Sequence, residues 1–372
     1  MALVGAVDPA QVQQRLEEWL TTRPGFADSR VVNARIPQAS GLSNETVMFD
    51  VDTTEGLVGM VARVEPSGPA LFPHYDLGMQ FTVTRALSER TGLPVPRPRW
   101  YEPGTDVLGA PFFVMDRLDG QVPPDNPPFT TAGWFMELCP AARAALFDNG
   151  LRVLASLHEV NWEGLGLGGL PRGLDHQLDY YENYLRWASD GTPNPTIDAA
   201  FEWVRSHRPD RPQRLVLNWG DARVGNMIFD EAHAVVGVLD WEMTCLAGPE
   251  LDLGWWVFLN RHHTDGMGIP RPDGMPSTEE TLARYRELTG YTPSDMHFYE
   301  VLAGLRVAVM MVRTARLLIA AGGLPPDSQF ALCNPGSVLL AELIGAPAPT
   351  AAIENVLVSR AAEPSTTAVA GE

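Results

Sequence analysis

The chain has 372 residues, 45% of them hydrophobic, and a formal net charge of −19, so it holds enough apolar material for two lobes with separate cores. The acidic balance argues against nucleic acid or an anionic membrane surface as the main partner, because both reward clustered basic side chains. The 27 basic residues are all arginine, which excludes a lysine nucleophile or Schiff base and leaves any phosphate clamp to arginine.

An amphipathic helix is predicted over 9–22. "ETVMFDV" and "LVGMVARV" flank the turn "DTTEG" and read as a hairpin. A helix is predicted across "DLGMQFTVTRALSER", stopped by Gly92 and Pro94, and "PRPRWYEP" with "APFFVMDRL" reads as a second strand pair. The first third is therefore an antiparallel sheet with one inserted helix. After the Pro-rich "QVPPDNPPFT" the pattern turns helical across "PAARAALFDNGLRVLASLHEV", "LDYYENYLRWASD" and "EETLARYRELTG". In "YEVLAGLRVAVMMVRTARLLIAAGG", Arg306, Arg313 and Arg316 interrupt any membrane-spanning run, so the stretch reads as a buried core helix. The Ala/Pro/Thr-rich tail from Ala346 is expected to fray at its end. Three scattered cysteines, Cys139, Cys245 and Cys333, lack metal-ligand spacing and fit a reduced, cytoplasmic protein. The N-terminus lacks the basic and apolar regions of a signal peptide. The order is sheet, connector, helical lobe with a small β insert, and the cleft between lobes is the natural small-molecule site.

The β insert carries the chemistry. In "LVLNWGDARVGNMIFDEAHAVVGVLDWEMT", Asp221 follows one strand, Asn226 opens the next and Asp240 ends a third. Pairing of the last two strands would bring Asn226 and Asp240 together at one edge. Phosphoryl transfer asks for such a set: one carboxylate to orient the attacking hydroxyl, and an amide oxygen and second carboxylate to hold Mg²⁺ against a triphosphate. Taken singly, these residues serve as turn formers or a helix N-cap; that accounts for each of them but not for the set.

The segment resembles the aminoglycoside phosphotransferase and choline-kinase-like family, a small-molecule branch of the protein-kinase fold. The family pattern H-G-D-x-x-x-x-N, an apolar strand, Asp, then G-D-P-x-x-D-L stands here as W-G-D-A-R-V-G-N, V-L-D-W-E and G-P-E-L-D-L. The resemblance covers roughly residues 30 to 320. It implies an α+β, two-lobed protein-kinase-like fold, with a nucleotide-binding lobe over 1–117 (including the N-terminal helix) and a helical catalytic and substrate-binding lobe over 118–372. It implies ATP and Mg²⁺ as cofactors and a small-molecule hydroxyl acceptor, with the chain a monomer or homodimer. Asp221 becomes the catalytic base, Asn226 and Asp240 metal ligands, and Asp252 an acid bracing the loop. Two departures stand out: Trp219 replaces the family's His and has only one side-chain donor, and Gly248-Pro249-Glu250 lacks the Asp of G-D-P. "WGDARxGN" resembles the variant of a branch that includes domains fused to acyl-CoA dehydrogenases.

By the same resemblance, "ASGLSNETVMFDV" is the nucleotide loop, with Ser43 and Asn44 near the phosphates. Arg63 stands where kinases place the phosphate-pairing lysine, and Gln80 stands at the acid that pairs with it. Adenine would meet backbone near Met115 to Arg117. Acceptor contacts are expected among Tyr180, Tyr181, Trp187, Glu242, Arg261 and His262, Glu242 lying two residues past Asp240. The acceptor is an aminoglycoside or, on the fused-domain branch, a hydroxyacyl thioester. "GLGLGG" follows no strand and reads as a loop, and the "RHH" cluster reads as surface. The alternative to turnover is a nucleotide-binding pseudokinase or scaffold, motivated by Trp219, Gln80 and the lost G-D-P acid.

Overall fold

Strand alternation builds the N-terminal lobe. A computed structural model describes residues 8–37, 45–211 and 214–351. In β3 (Gly56–Val64), Met60, Ala62 and Val64 join Val47, Phe49 and Val51 of β2 (Glu45–Thr53) on one face, against Leu16 and Trp19 of α1 (Pro9–Leu20). Val61 points the other way, with Phe113 and Met115 of β5 (Phe112–Asp116), toward Leu77 of α2 (Leu77–Arg90). Arg63 shares that second face, which is how a charged residue in an apolar strand comes to face the cleft. β1 (Arg30–Arg35) and β4 (Pro98–Glu102) complete an antiparallel sheet of order β1-β2-β3-β5-β4. The β2–β3 turn is tighter than the sequence reading, since Thr53 pairs directly with Gly56. Asp8 and Asp76 cap α1 and α2 through hydrogen bonds to Ala10 N and Met79 N.

The C-terminal lobe is helical: α3 (Trp134–Glu137), α4 (Pro140–His158), α5 (Gly173–Ser189), α6 (Pro195–Ser206), α7 (Glu250–His262), α8 (Thr278–Thr289), α9 (Met296–Ala320) and α10 (Pro335–Leu343). α9 is the 25-residue core helix expected from its apolar run, and α5, α6, α7 and α10 pack around it. The lobes are stitched by the segment before α2. Leu71 and Phe72 enter the core beside Tyr181 and Tyr184, and Arg313 Nε donates to Ala70 O at 2.8 Å. Among the described residues no helix is long and apolar enough to cross a membrane.

The β insert is two short ladders. β6 (Val216–Asn218) pairs with β9 (Cys245–Ala247), a strand the sequence reading missed, and β7 (Met227–Phe229) pairs with β8 (Val235–Val238).

Candidate active site

The first ladder delivers Asp221. β6 runs into Trp219 and Gly220, and Gly220 has φ +93, where a Cβ would lie 2.1 Å from the Met243 carbonyl oxygen. Only glycine fits so close an approach. Asp252, fully buried in the first turn of α7, fixes the turn from behind. Its Oδ2 accepts from Trp219 N at 2.7 Å and its Oδ1 from Gly220 N at 2.8 Å. Its Oδ2 also meets His158 Nε2 at 3.1 Å, and His158 Nδ1 meets the Tyr285 hydroxyl at 2.8 Å. The loop thus hangs from a buried, satisfied carboxylate.

Asp221 is held by two donors. Trp255 Nε1 donates to Oδ1 and Asn226 Nδ2 to Oδ2, both at 2.7 Å, and 18% of the side chain stays exposed. Asn226 closes a 3₁₀ turn over Val224–Asn226 just before β7, and Leu239 N donates to Asn226 O at 2.9 Å. The β7–β8 hairpin so brings Asp240 beside Asn226. Asp240 adopts a left-handed φ of 58°, uncommon for a non-glycine residue. Trp219 holds it there: its single indole N–H is shared between Leu239 O at 2.7 Å and Asp240 O at 3.0 Å. The departure from the family's His therefore has a definite role, joining the Asp221 loop to the Asp240 loop.

Arg63 reaches across the cleft from β3 and ion-pairs with Asp240. The expected Arg63–Gln80 contact is absent among the described residues, because Asp240 offers Arg63 a full negative charge and an amide does not. Gln80 is 2% exposed and its Nε2 has no hydrogen-bond partner among the described residues. Both residues line a cavity of about 240 Å³, with Val61, Phe113, Met115 and Asp240 among its other walls. Of the backbone groups expected to meet adenine, the Asp116 and Arg117 amides are already spent in the sheet, on Arg97 O at 2.9 Å and Gly59 O at 3.0 Å. The Leu118 amide, one residue on, makes no backbone hydrogen bond among the described residues. The Arg117 side chain turns away over Gly59 to Asp50 Oδ1 at 2.6 Å. Ser43 and Asn44 lie outside the described residues.

Sequence reasoning missed Arg223, Asp125 and Trp255. Arg223 Nη1 donates to Asp125 Oδ1 at 2.7 Å and its Nε lies 3.4 Å from Asp221, so a guanidinium flanks the candidate base. His263 Nε2 is 3.5 Å from the same Asp125 oxygen. A cation two residues past Asp221 was a readable signal. Asp125 and Trp255, brought in from distant segments, were not. The "RHH" reading needs correction. His262 and His263 are buried, at 9% and 6% exposure, because α7 turns them inward beside Phe129 and Gly336. Arg261 of the same run is spent on Glu300, Asp265 and Glu342 and lines a different cavity. The structure does not bring it to Asp221. Tyr180, Tyr181 and Glu242 do line a chamber of about 740 Å³ that also touches Gln80. Trp187 is 38% exposed, with Arg313 stacked on its ring.

Fold and loop geometry define the class, a kinase-like protein. Residues 36–296 match the model of the phosphotransferase enzyme family, and the chain belongs to that family. Solved structures share the fold. One is a putative aminoglycoside phosphotransferase from Ralstonia eutropha (TM-score 0.66, 24% identity, covering 89% of this chain and 95% of that one). Another is a thermostable mutant of an aminoglycoside phosphotransferase in ternary complex with ADP and hygromycin B (TM-score 0.56, 13% identity, 89% and 98% covered). Among curated relatives, acyl-CoA dehydrogenase family member 11 of Gallus gallus is 31% identical over 338 residues, 86% of this chain and 41% of that protein. The Rattus norvegicus protein of the same name is 28% identical over 306 residues, 79% of this chain and 38% of that protein. The chain thus spans about two fifths of the length of these relatives.

Proposed function

We propose that the protein transfers the γ-phosphoryl group of ATP to a hydroxyl of a small molecule. The observation that carries this is the run of contacts that joins Asp221 to Asn226, sets Asp240 beside Asn226 and pairs Asp240 with Arg63 in the wall of a cavity. In this reading Asp221, oriented by Trp255 and Asn226, accepts the hydroxyl proton as the alcohol attacks. Arg63 and Arg223 face the phosphates as guanidinium forks. The Leu118 amide, which makes no backbone hydrogen bond among the described residues, would meet the adenine edge, with Met115 as apolar wall. Ser43 and Asn44 would complete the phosphate loop.

The donor chemistry suits magnesium. Asn226 spends its N–H on Asp221, leaving its oxygen, and Asp240 adds a carboxylate. A hard cation held by few protein oxygens plus phosphates needs no more. Among the described residues no trio of His, Cys, Asp or Glu forms a competing metal cluster. Bound there, Mg²⁺ would supply charge neutralisation on the triphosphate. We place the nucleotide lobe at 1–117 and the catalytic lobe at 118–372, and the protein in the cytoplasm as a monomer or homodimer. The named relatives favour a hydroxyacyl-type acceptor, and the aminoglycoside enzymes with this fold favour a polycationic one.

Incubation with γ-labelled ATP and a panel of both acceptor types tests the reading, with Asp221→Asn as control. We expect a labelled product from the wild type and a loss of about 10²–10⁴-fold in kcat in the variant. An Asp221→Asn enzyme of full activity refutes the assigned base. The Arg63–Asp240 pair and the lone Gln80 amide favour one second reading, a nucleotide-binding scaffold. Stabilisation by ATP without Mg²⁺ dependence, and no turnover on any acceptor, would select it.

A further inference from the structure

The chamber of about 740 Å³ beside the catalytic loop holds a charge that the phosphotransfer reading does not use. Arg306 lies midway along α9 and is 1% exposed. Its Nη2 donates to Gly220 O at 3.0 Å, and its guanidinium carbon lies 4.4 Å from the Trp255 ring centroid and 5.3 Å from that of Tyr181. Among the described residues Nε and Nη1 complete no hydrogen bond, although the Tyr181 hydroxyl interacts with the guanidinium. Among the described residues no carboxylate lies within ion-pair distance of Arg306.

An isolated buried guanidinium is expensive, and buried charges are normally paired. Cation–π contacts with two rings offset part of the cost but leave two of the three donor nitrogens, Nε and Nη1, without a completed hydrogen bond. A second orphan donor, Gln80 Nε2, borders the same chamber. Of the remaining walls, Phe72, Tyr75, Tyr180 and Met243 offer aromatic and apolar surface, His176 and Gln177 offer polar groups, and Asp76 and Glu242 bring two carboxylates. Two donor groups without a hydrogen-bond partner among the described residues, set beside aromatic and apolar surface, are the complement of an oxyanion on an apolar body, whose charged end would lie toward Arg306 and away from Asp76 and Glu242.

We infer that this chamber binds a small molecule bearing a carboxylate, with Arg306 as its anchor and Gln80 as a supporting donor. The planar fork of Arg306 matches a carboxylate edge-on. Arg306 touches Gly220, in the turn that delivers Asp221, and Trp255, one of the donors to its carboxylate, so a ligand held by its own carboxylate can present another part of itself to the base. That the ligand is the phosphoryl acceptor rests on the proposed function; that the chamber selects a carboxylate does not.

Calorimetric titration of the full chain, without nucleotide, tests the inference with three probes of one shape: 4-phenylbutyrate, its primary amide and 4-phenylbutylamine. The carboxylate is expected to bind at least tenfold more tightly than the amide, with the amine weakest. Arg306→Gln is expected to abolish the preference and Arg306→Lys to retain part of it. Equal binding of carboxylate and amide by the wild type overturns the proposal, whether or not the variants fold. So does a folded Arg306→Gln that keeps the preference. Nucleotide titration of the wild type in parallel separates the readings: carboxylate selectivity without ATP binding sinks the phosphotransfer reading alone, and ATP binding without carboxylate selectivity sinks this one alone.

Discussion

The two sides of the cleft are built on different terms. On the helical side the groups that set the Asp221 loop are partnered: Asp252 takes two backbone N–H groups, Trp219 spans two carbonyls, and Asn226 and Trp255 fix the carboxylate. On the sheet side Arg63 crosses to Asp240 and Gln80 is left alone. The braced side is set before any ligand arrives, as electrostatic preorganisation requires. Among the described residues one ion pair, Arg63 to Asp240, joins the sheet side to the catalytic loops across the cleft, and between two partly exposed groups it is a contact of modest strength.

The comparison breaks most sharply at Asp252. Replacing it by Ala strands two buried backbone N–H groups and His158. Urea unfolding should show a loss of about 3–5 kcal/mol, the size expected when one partner of a buried charged network is removed. Retention of wild-type stability would mean that the loop does not hang from this carboxylate. Trp219→Phe keeps the ring and removes one N–H shared by two carbonyls. The expected cost is about 1–3 kcal/mol, with a raised Mg²⁺ requirement, because the Asp240 backbone loses the contact that holds its left-handed turn. A folded variant with an unchanged Mg²⁺ dependence argues that Asp240 is positioned from elsewhere.

These same residues show what was legible in the chain. The spacing from Asp221 to Asn226 and the hairpin placing Asp240 are local, so a strand–turn–strand pattern reveals them. Asp252 was readable as a brace because its own motif is short. Trp219 raised the right question, how one donor replaces an imidazole, but its answer needed the carbonyls of residues 239 and 240 placed in space. Trp255, Asp125 and Arg306 were opaque for another reason: each comes from a segment 30 or more residues away, where only the packing of helices decides which face turns inward. Gln80 misled because helical register gives the position of a side chain, not the competitor that captures its partner.

Behind the loop, pH offers a gentler probe of the braced side. His262 is buried near His263, and burial first, then the neighbouring ring, lowers its pKa from 6.5 to about 3. The unfolded chain takes up a proton as pH falls below about 6.5, while the folded chain does not until near 3. His262 therefore costs nothing above that window and destabilises progressively as pH falls through it, by at most about 1.4 kcal/mol per pH unit. Urea midpoints at pH 7.5 and 5.5 should differ less in His262→Gln than in the wild type, by about 1.4 kcal/mol. Equal slopes would show that His262 is protonated in the folded protein.

The smallest effect tests the sheet side itself. If Arg63 sits on Asp240 because Gln80 cannot neutralise it, then Gln80→Glu supplies a competing carboxylate on α2. Arg63 is then shared, Asp240 is freed in part for a cation, and affinity for a non-hydrolysable ATP analogue with Mg²⁺ should rise. The pair is 15% and 25% exposed at its two side chains, so the gain is capped near the worth of a partly screened contact. That is about 1 kcal/mol, or roughly fivefold in affinity. Arg63→Gln gives the opposite arm: the same cation is freed of its competitor, but the phosphates lose a guanidinium, so analogue affinity should fall in both the wild-type and the Gln80→Glu background. A Gln80→Glu protein with unchanged affinity, alongside a weakened Arg63→Gln, would leave Arg63 as a phosphate ligand whose pairing with Asp240 sets nothing, and the two sides of the cleft would then be independent.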